Sequence, residues 1–356
     1  MTASESKGIR LSVCIPTYNR ANFLSKTLEA FRSVLTDETQ IVISDNASTD
    51  GTEEMVNTFR REWPNLVYRR WPVNEGADRN YLRAVELADG DYCWLFGSDD
   101  IPVPGAIEAV TQLMEGGCDI GLFAYLWCDL KMRPYKPEFP LGSRPARRSF
   151  DTRRAHGMHE YLTAVKNNAG LFAYLSIIVV RRACWSGVSF DERFIGTAYS
   201  HSSILLTALR DGALLHYEPR VIVHTRHGND SFATDGTFRR AMLDVDGYGA
   251  IRDRVFHSDR VAQGLVNRII FRDYPWWYVA RLGGTMAPLE FEQFLGALGE
   301  MGYPAHRLSL ARLGGAHQGL FRLLFEAKHR IWVPFRGLSW VTRHEGPRRS
   351  GSSRGD

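Results

Sequence analysis

The chain has 356 residues, long for one domain and short for three. Hydrophobic residues make up 44% and charged residues 24%, which supports a sizeable core and excludes the disordered and fibrous classes. Net charge is +4, yet residues 301–356 hold ten Lys/Arg against three Asp/Glu; the first 300 residues therefore carry −3, which excludes a nucleic-acid-binding body and leaves a basic tail region.

Residues 1–7 are polar and lack the apolar run of a signal peptide. Leu11-Ser12-Val13-Cys14-Ile15 reads as a strand, stopped by Pro16-Thr17-Tyr18-Asn19-Arg20. Apolar residues at 23, 24, 28, 31 and 35 predict a helix over 21–35. A second strand, 40–44, ends at Asp45-Asn46-Ala47-Ser48-Thr49-Asp50-Gly51-Thr52, where Asp50 and Glu53 predict a capping box for a helix over 51–63. A third strand, 66–71, precedes Asn74-Glu75-Gly76 and a helix over 77–88. Asp91-Tyr92-Cys93-Trp94-Leu95 is a fourth, buried strand; it runs into Gly97-Ser98-Asp99-Asp100, with Pro104 near the start of a helix over 105–114. Strands alternating with helices at this spacing predict a parallel α/β sheet with right-handed crossovers. Every polar cluster falls after a strand and before a helix, on the edge where open α/β sheets bind ligands.

A strand at 120–125 follows, then a Pro- and Arg-rich stretch, 127–151, expected to be a long loop. Further expectations are a helix over 156–167, a strand over 173–180, a helix over 202–210 and two strands at 214–217 and 220–225. From 232 onward the patterns are helical, and 346–356 has the composition of a disordered tail. Residues 308–333 interleave basic residues with Leu, Phe and Trp, a pattern that fits an in-plane membrane-surface helix and equally a helix packed on the main domain. Trp276-Trp277-Tyr278 reads first as core and second as a sugar-stacking platform. Five cysteines, without a C-x-x-C pair, point to a reducing, cytoplasmic setting, and the longest apolar run, 171–180, is half a membrane span.

Position 16–20 has no glycine, so the first βα turn is not a Rossmann pyrophosphate cradle. Two adjacent carboxylates on a tight turn suit a hard divalent cation that leaves positions for phosphate oxygens. PTYNR, SDNASTDGT, NEG and GSDD, in this order after four successive strands, resemble family 2 glycosyltransferases with the GT-A fold, and within them the subset similar to abequosyltransferases. The resemblance spans roughly residues 10–230. It implies an α/β, mostly parallel GT-A sheet flanked by helices over 8–230, a helical C-terminal region over 231–345 and the tail beyond. It further implies an inverting, metal-dependent transfer from a nucleotide-sugar donor (UDP, CDP, GDP or dTDP type) to a glycan, lipid-linked or small-molecule hydroxyl.

By the same resemblance Pro16, Thr17 and Asn19 line the nucleoside and Asp45 faces the base ring. Arg79 lies near the donor, Asp99 meets the ribose, and Asp100 holds Mg²⁺ or Mn²⁺. His224 and His227 are candidates to complete the metal or phosphate site. The Glu-Asp pair that supplies the family's general base is absent; Tyr199-Ser200-His201 stands there, leaving His201 and Asp191 as candidates. A nucleotidyltransferase and a non-catalytic nucleotide-sugar-binding protein are the alternative readings.

Overall fold

The computed structural model describes residues 9–142, 146–229 and 236–319. Strands β1 (Leu11–Thr17), β2 (Thr39–Asp45), β3 (Leu66–Arg70) and β4 (Tyr92–Leu95) alternate with helices α1 (Ala21–Arg32), α2 (Thr52–Arg60) and α3 (Ala77–Glu86). All are close to the expected bounds. The four strands pair in parallel in the order β3-β2-β1-β4. Helices cover both faces, so β1 and β2 are buried along nearly their whole length and read as continuous apolar runs.

The second half comprises β5 (Ile101–Pro102), α4 (Ala106–Glu115), β6 (Ile120–Cys128), β7 (Pro134–Glu138), β8 (Arg148–Asp151), α5 (Gly157–Ala164), β9 (Ile178–Arg181), α6 (Arg182–Ser186), α7 (Ser200–Gly212) and β10 (Leu214–Arg226). β9 runs antiparallel between β4 and β6, and β10 lies parallel to β6. The sheet is therefore parallel at its N-terminal side and mixed beyond β4, in the order β3-β2-β1-β4-β9-β6-β10-β5.

Several local expectations are corrected. The stretch 127–151 is not one loop: β7 and β8 lie in it, pairing with β6 and β10. The prolines of β7 hide its periodicity, and they are tolerated because β7 is an edge strand. The expected strand over 173–180 begins only at Ile178, after two 3₁₀ turns, Asn168–Leu171 and Leu175–Ile177. The two strands expected at 214–225 are one, β10, bent by register shifts between Glu218 and Val221 and between Val221 and His224. The capping box does not form. Gly51, at φ 82°, is the N-cap of α2, while the Asp50 carboxylate accepts the Ala21 N–H that opens α1.

C-terminal helices α8 (Thr237–Ala250), α9 (Arg260–Asp273), α10 (Trp276–Gly283), α11 (Pro288–Glu300) and α12 (Ala305–Ala316) join the same apolar core, which runs from Leu11 to Ala311. At their seam Gly247 meets the Tyr199 ring so closely that a Cβ would lie 2.2 Å from a ring carbon. There Asp244 accepts the hydroxyls of Tyr199 and Tyr274. Among the described residues no helix is long and apolar enough to cross a membrane. Most of the basic stretch 308–333, and the whole of 346–356, lie outside the described residues. All five thiols are free.

Candidate active site

The C-terminal tips of β1, β2 and β4 meet on one edge, and their loops are stapled to one another. The Asn19 N–H donates to Ser48 Oγ at 2.9 Å, and the Thr49 N–H donates to Asn19 Oδ1 at 2.8 Å. Asn19 takes φ 51°, a left-handed conformation that asparagine tolerates better than most residues. The Thr17 carbonyl accepts the Asn46 N–H at 3.0 Å and the Asn80 amide at 3.1 Å. Its own hydroxyl is buried with no partner, and Pro16 lies half-buried beside it. Asp45 is wholly enclosed; Oδ1 accepts the Ser48 N–H at 2.8 Å and Oδ2 the Tyr68 hydroxyl at 2.7 Å. Asn46 reaches the third loop, donating to Asn74 Oδ1 at 2.6 Å and to the Gly76 carbonyl at 3.1 Å.

Asp99 and Asp100 sit on the turn after β4, held by groups from four directions. Asp99 Oδ2 accepts the Asn229 amide at 2.5 Å and lies 3.5 Å from the Arg20 guanidinium. Asp100 Oδ2 accepts the Ser176 hydroxyl at 2.5 Å, and Oδ1 the Arg226 N–H at 3.1 Å. Ser176 Oγ in turn accepts the Gly97 N–H at 2.8 Å. The Thr27 hydroxyl tethers the turn from α1 through the Ser98 and Asp100 carbonyls. Burial, then the charge of Asp99, pushes the Asp100 carboxyl up to about 8, against the lowering effect of Ser176 and Arg226. Part of Asp100 still faces outward.

Two packed carboxylates, with burial and the Asp99 charge raising the proton affinity of Asp100, fit a divalent cation, whose charge would offset theirs. Among the described residues no group of three or more His, Cys, Asp or Glu could hold a metal. The fit is thus to the sparse kind of site, in which one or two carboxylates and the substrate's phosphates complete the shell. His224 and His227 are not gathered with the pair into such a cluster. His224 is half-buried in β10 opposite Ile101, and burial lowers its pKa. The His227 ring lies 5.0 Å from Trp127, with Nδ1 bonded to the Tyr135 hydroxyl at 2.6 Å.

The remaining candidates gather at the loop before α7. Asp78, on α3, accepts the N–H groups of Gly196, Ala198 and Ser200 at 2.8–3.0 Å and so fixes that loop against the strand-tip edge. Arg79 pairs with Glu192 on the same loop rather than standing open. Asp191 caps a 3₁₀ turn and is chelated by Arg193, whose hydrogen bond holds its carboxyl below the usual range. His201 is buried: Nε2–H donates to the Phe172 carbonyl at 2.8 Å, while Nδ1 has neither partner nor exposed surface. Burial lowers its pKa to about 4, so the ring is neutral.

Ser176, Asp78 and Arg226 escaped the sequence reading. Ser176 lies in an apolar run with no motif around it, and Arg226 resembles any basic residue at a strand end. Asp78 lies just beyond Asn74-Glu75-Gly76, yet an acidic residue in a helix's first turn is explained by the helix dipole alone. Arg226 spans the site, donating to the Asp99 and Leu130 carbonyls and lying over Phe23.

Residues 12–181 match the family model described as Glycosyl transferase family 2. Abequosyltransferase RfbV of Salmonella typhimurium is 32% identical over 299 residues, covering 81% of this chain and 89% of the relative. Among solved structures, residues 1–349 of TarS from S. aureus in complex with UDP-GlcNAc superpose with TM-score 0.60 at 14% identity, covering 90% and 92% of the two chains. The mannosyltransferase PcManGT of Pyrobaculum calidifontis, in complex with GDP-Man and Mn²⁺, gives TM-score 0.50 at 16% identity, covering 92% and 88%. These two likenesses bear on the fold, which is of the GT-A kind. With the strand-tip loops, the Asp pair and a relative matched over most of both chains, this chain belongs to glycosyl transferase family 2 and is a glycosyltransferase.

Proposed function

We propose that the chain transfers a sugar from a nucleoside-diphosphate donor to a saccharide hydroxyl in the assembly of a surface polysaccharide of the O-antigen kind, with inversion at the anomeric carbon. The Asp99–Asp100 pair, fixed side by side on the turn after β4 by Ser176, Asn229 and the Arg226 N–H, carries this reading. The abequosyltransferase relative supports the polysaccharide setting. Mg²⁺ or Mn²⁺, when bound at Asp100, supplies Lewis-acid stabilisation of the departing diphosphate; the Mn²⁺ in the mannosyltransferase complex supports this.

The chain's own residues do the rest. The unpartnered Thr17 hydroxyl, Pro16 and Asn19 border the nucleoside, and Asp99 accepts from the ribose. Enclosed Asp45 shapes that loop through Ser48 and Tyr68 instead of touching the base. As the acceptor oxygen bonds to the anomeric carbon, the bond from that carbon to the diphosphate oxygen breaks, and its electron pair leaves with the nucleoside diphosphate. The acceptor proton goes to the Asp191 carboxylate, which is partly exposed and ionised. Burial of its free nitrogen argues against His201 in that role.

The test follows nucleoside diphosphate release and the product's anomeric configuration by NMR. Chelation and Asp100→Ala are expected to abolish turnover. Asp191→Asn is expected to lower kcat with nucleotide binding intact. A product that retains the donor's configuration would contradict the inverting reading.

A further inference from the structure

Beside the Asp pair lies a band of aromatic rings that the donor-side reading does not use. The Trp127 ring stands 5.3 Å from Tyr174 at 86° and 5.0 Å from His227 at 60°. Tyr174 also packs 5.1 Å from Tyr125, and Tyr135 lies 6.1 Å from His227 with its hydroxyl on Nδ1. The rings come from β6, β7, the turn before β9 and the end of β10, so four separate chain segments converge on them. Tyr125 is buried and forms the floor; Trp127, Tyr174 and His227 are half-buried, and Tyr135 is 45% exposed.

The band is tied to the reacting centre by short covalent links. Tyr174 is two residues from Ser176, which donates to Asp100, and His227 follows Arg226, whose N–H also donates to Asp100. The His227 N–H is fixed on the Cys128 carbonyl at 2.8 Å, one residue beyond Trp127. Half-buried rings from four segments, with Tyr135 reaching solvent, match the apolar C–H face of a pyranose.

We infer that Trp127, Tyr174, Tyr135 and His227 form the subsite that holds the acceptor's terminal sugar against the Asp99–Asp100 centre. This rests on the transferase reading above and extends it to the acceptor side. The probes are methyl hexopyranosides of gluco, galacto and manno configuration, observed by saturation-transfer NMR with the full chain. Each preparation is checked in parallel for a thermal shift with nucleoside diphosphate and Mn²⁺.

The wild type is expected to transfer saturation to the ring protons of at least one glycoside. Trp127→Leu and the milder, surface Tyr135→Ala are expected to weaken that signal and to raise the acceptor KM roughly tenfold, while the nucleotide shift and kcat stay close to wild type. A normal nucleotide shift with glycoside binding absent from the wild type, or unchanged in folded Tyr135→Ala and Trp127→Leu, would overturn the subsite alone. A wild type that responds to no nucleotide would overturn the transferase reading beneath it.

Discussion

His201 offers a quantitative test of what burial does to an ionisable side chain near the site. Its Nε2–H is spent on the Phe172 carbonyl, the Tyr81 ring lies edge-on at 5.2 Å, and Nδ1 has no route to water. Protonation therefore places a charge in the core away from water, a burial cost that outweighs the favourable Phe172 carbonyl and Asp78 charge, which is why the folded pKa falls to about 4. In the unfolded chain the same ring titrates near 6.5. Since the folded pKa is the lower, the unfolded state takes up the extra proton, and stability is lost as pH falls from about 6.5 toward 4. At pH 5 the unfolded ring is almost fully charged and the folded one almost fully neutral, a difference of about 2 kcal/mol relative to pH 8. His201→Gln keeps a donor for Phe172 and removes the titration. Urea unfolding of both proteins at pH 8 and pH 5 isolates the effect. The wild type is expected to lose about 2 kcal/mol more than the variant across that interval. Parallel losses in the two proteins would mean that folded His201 accepts a proton readily, and the burial argument would fail. The same variant bears on catalysis: turnover at pH 8 is expected to persist, and a folded but inactive His201→Gln would return the base to His201.

Other consequences follow from single contacts. Ser176→Ala leaves the half-buried Gly97 N–H unpaired and strips one hydrogen bond from Asp100, so unfolding free energy should fall by about 1–3 kcal/mol, with weaker nucleotide binding; unchanged stability and affinity would show the hydroxyl to be dispensable. Burial lifts the Asp273 carboxyl to about 7, above its unfolded value, so its stabilising contribution is complete below about pH 4 and is lost as pH rises through 7. Asp273→Asn, which still accepts the Asn168 N–H, should accordingly be more stable than wild type at pH 8 and lose that advantage at pH 4; a constant difference across the range would contradict this.

The N-terminal half of the fold was legible because each signal there is local. Short β-branched runs end at polar loops, and those loops lie at strand tips whatever the rest of the chain does. The turn that carries Asp99 and Asp100 was legible at the tip of β4 for that reason. What escaped depends on distant pairing. β7 reads as Pro-rich loop until β6 is there to pair with it, and the bend in β10 hides its continuity. Asp50 is a cap, yet of α1 and not of the helix it precedes, because the two loops are folded against each other. Ser176 matters only because β9 inserts beside β4, and nothing in residues 173–180 announces that insertion. The departure at Tyr199-Ser200-His201 was visible as a missing motif. Its consequence was not, since burial of a histidine cannot be read from its neighbours in sequence.

The account turns on Asp99 and Asp100 forming a cation-dependent diphosphate site. Thermal unfolding with UDP, CDP, GDP and dTDP, each with Mn²⁺ or with EDTA, on wild type and Asp100→Ala, measures that directly. One nucleotide at a hundred times its Kd should stabilise the wild type by about 2.7 kcal/mol. That gain should require Mn²⁺ and vanish in Asp100→Ala. A shift that persists in EDTA or in the variant, or no shift with any nucleotide, would contradict it.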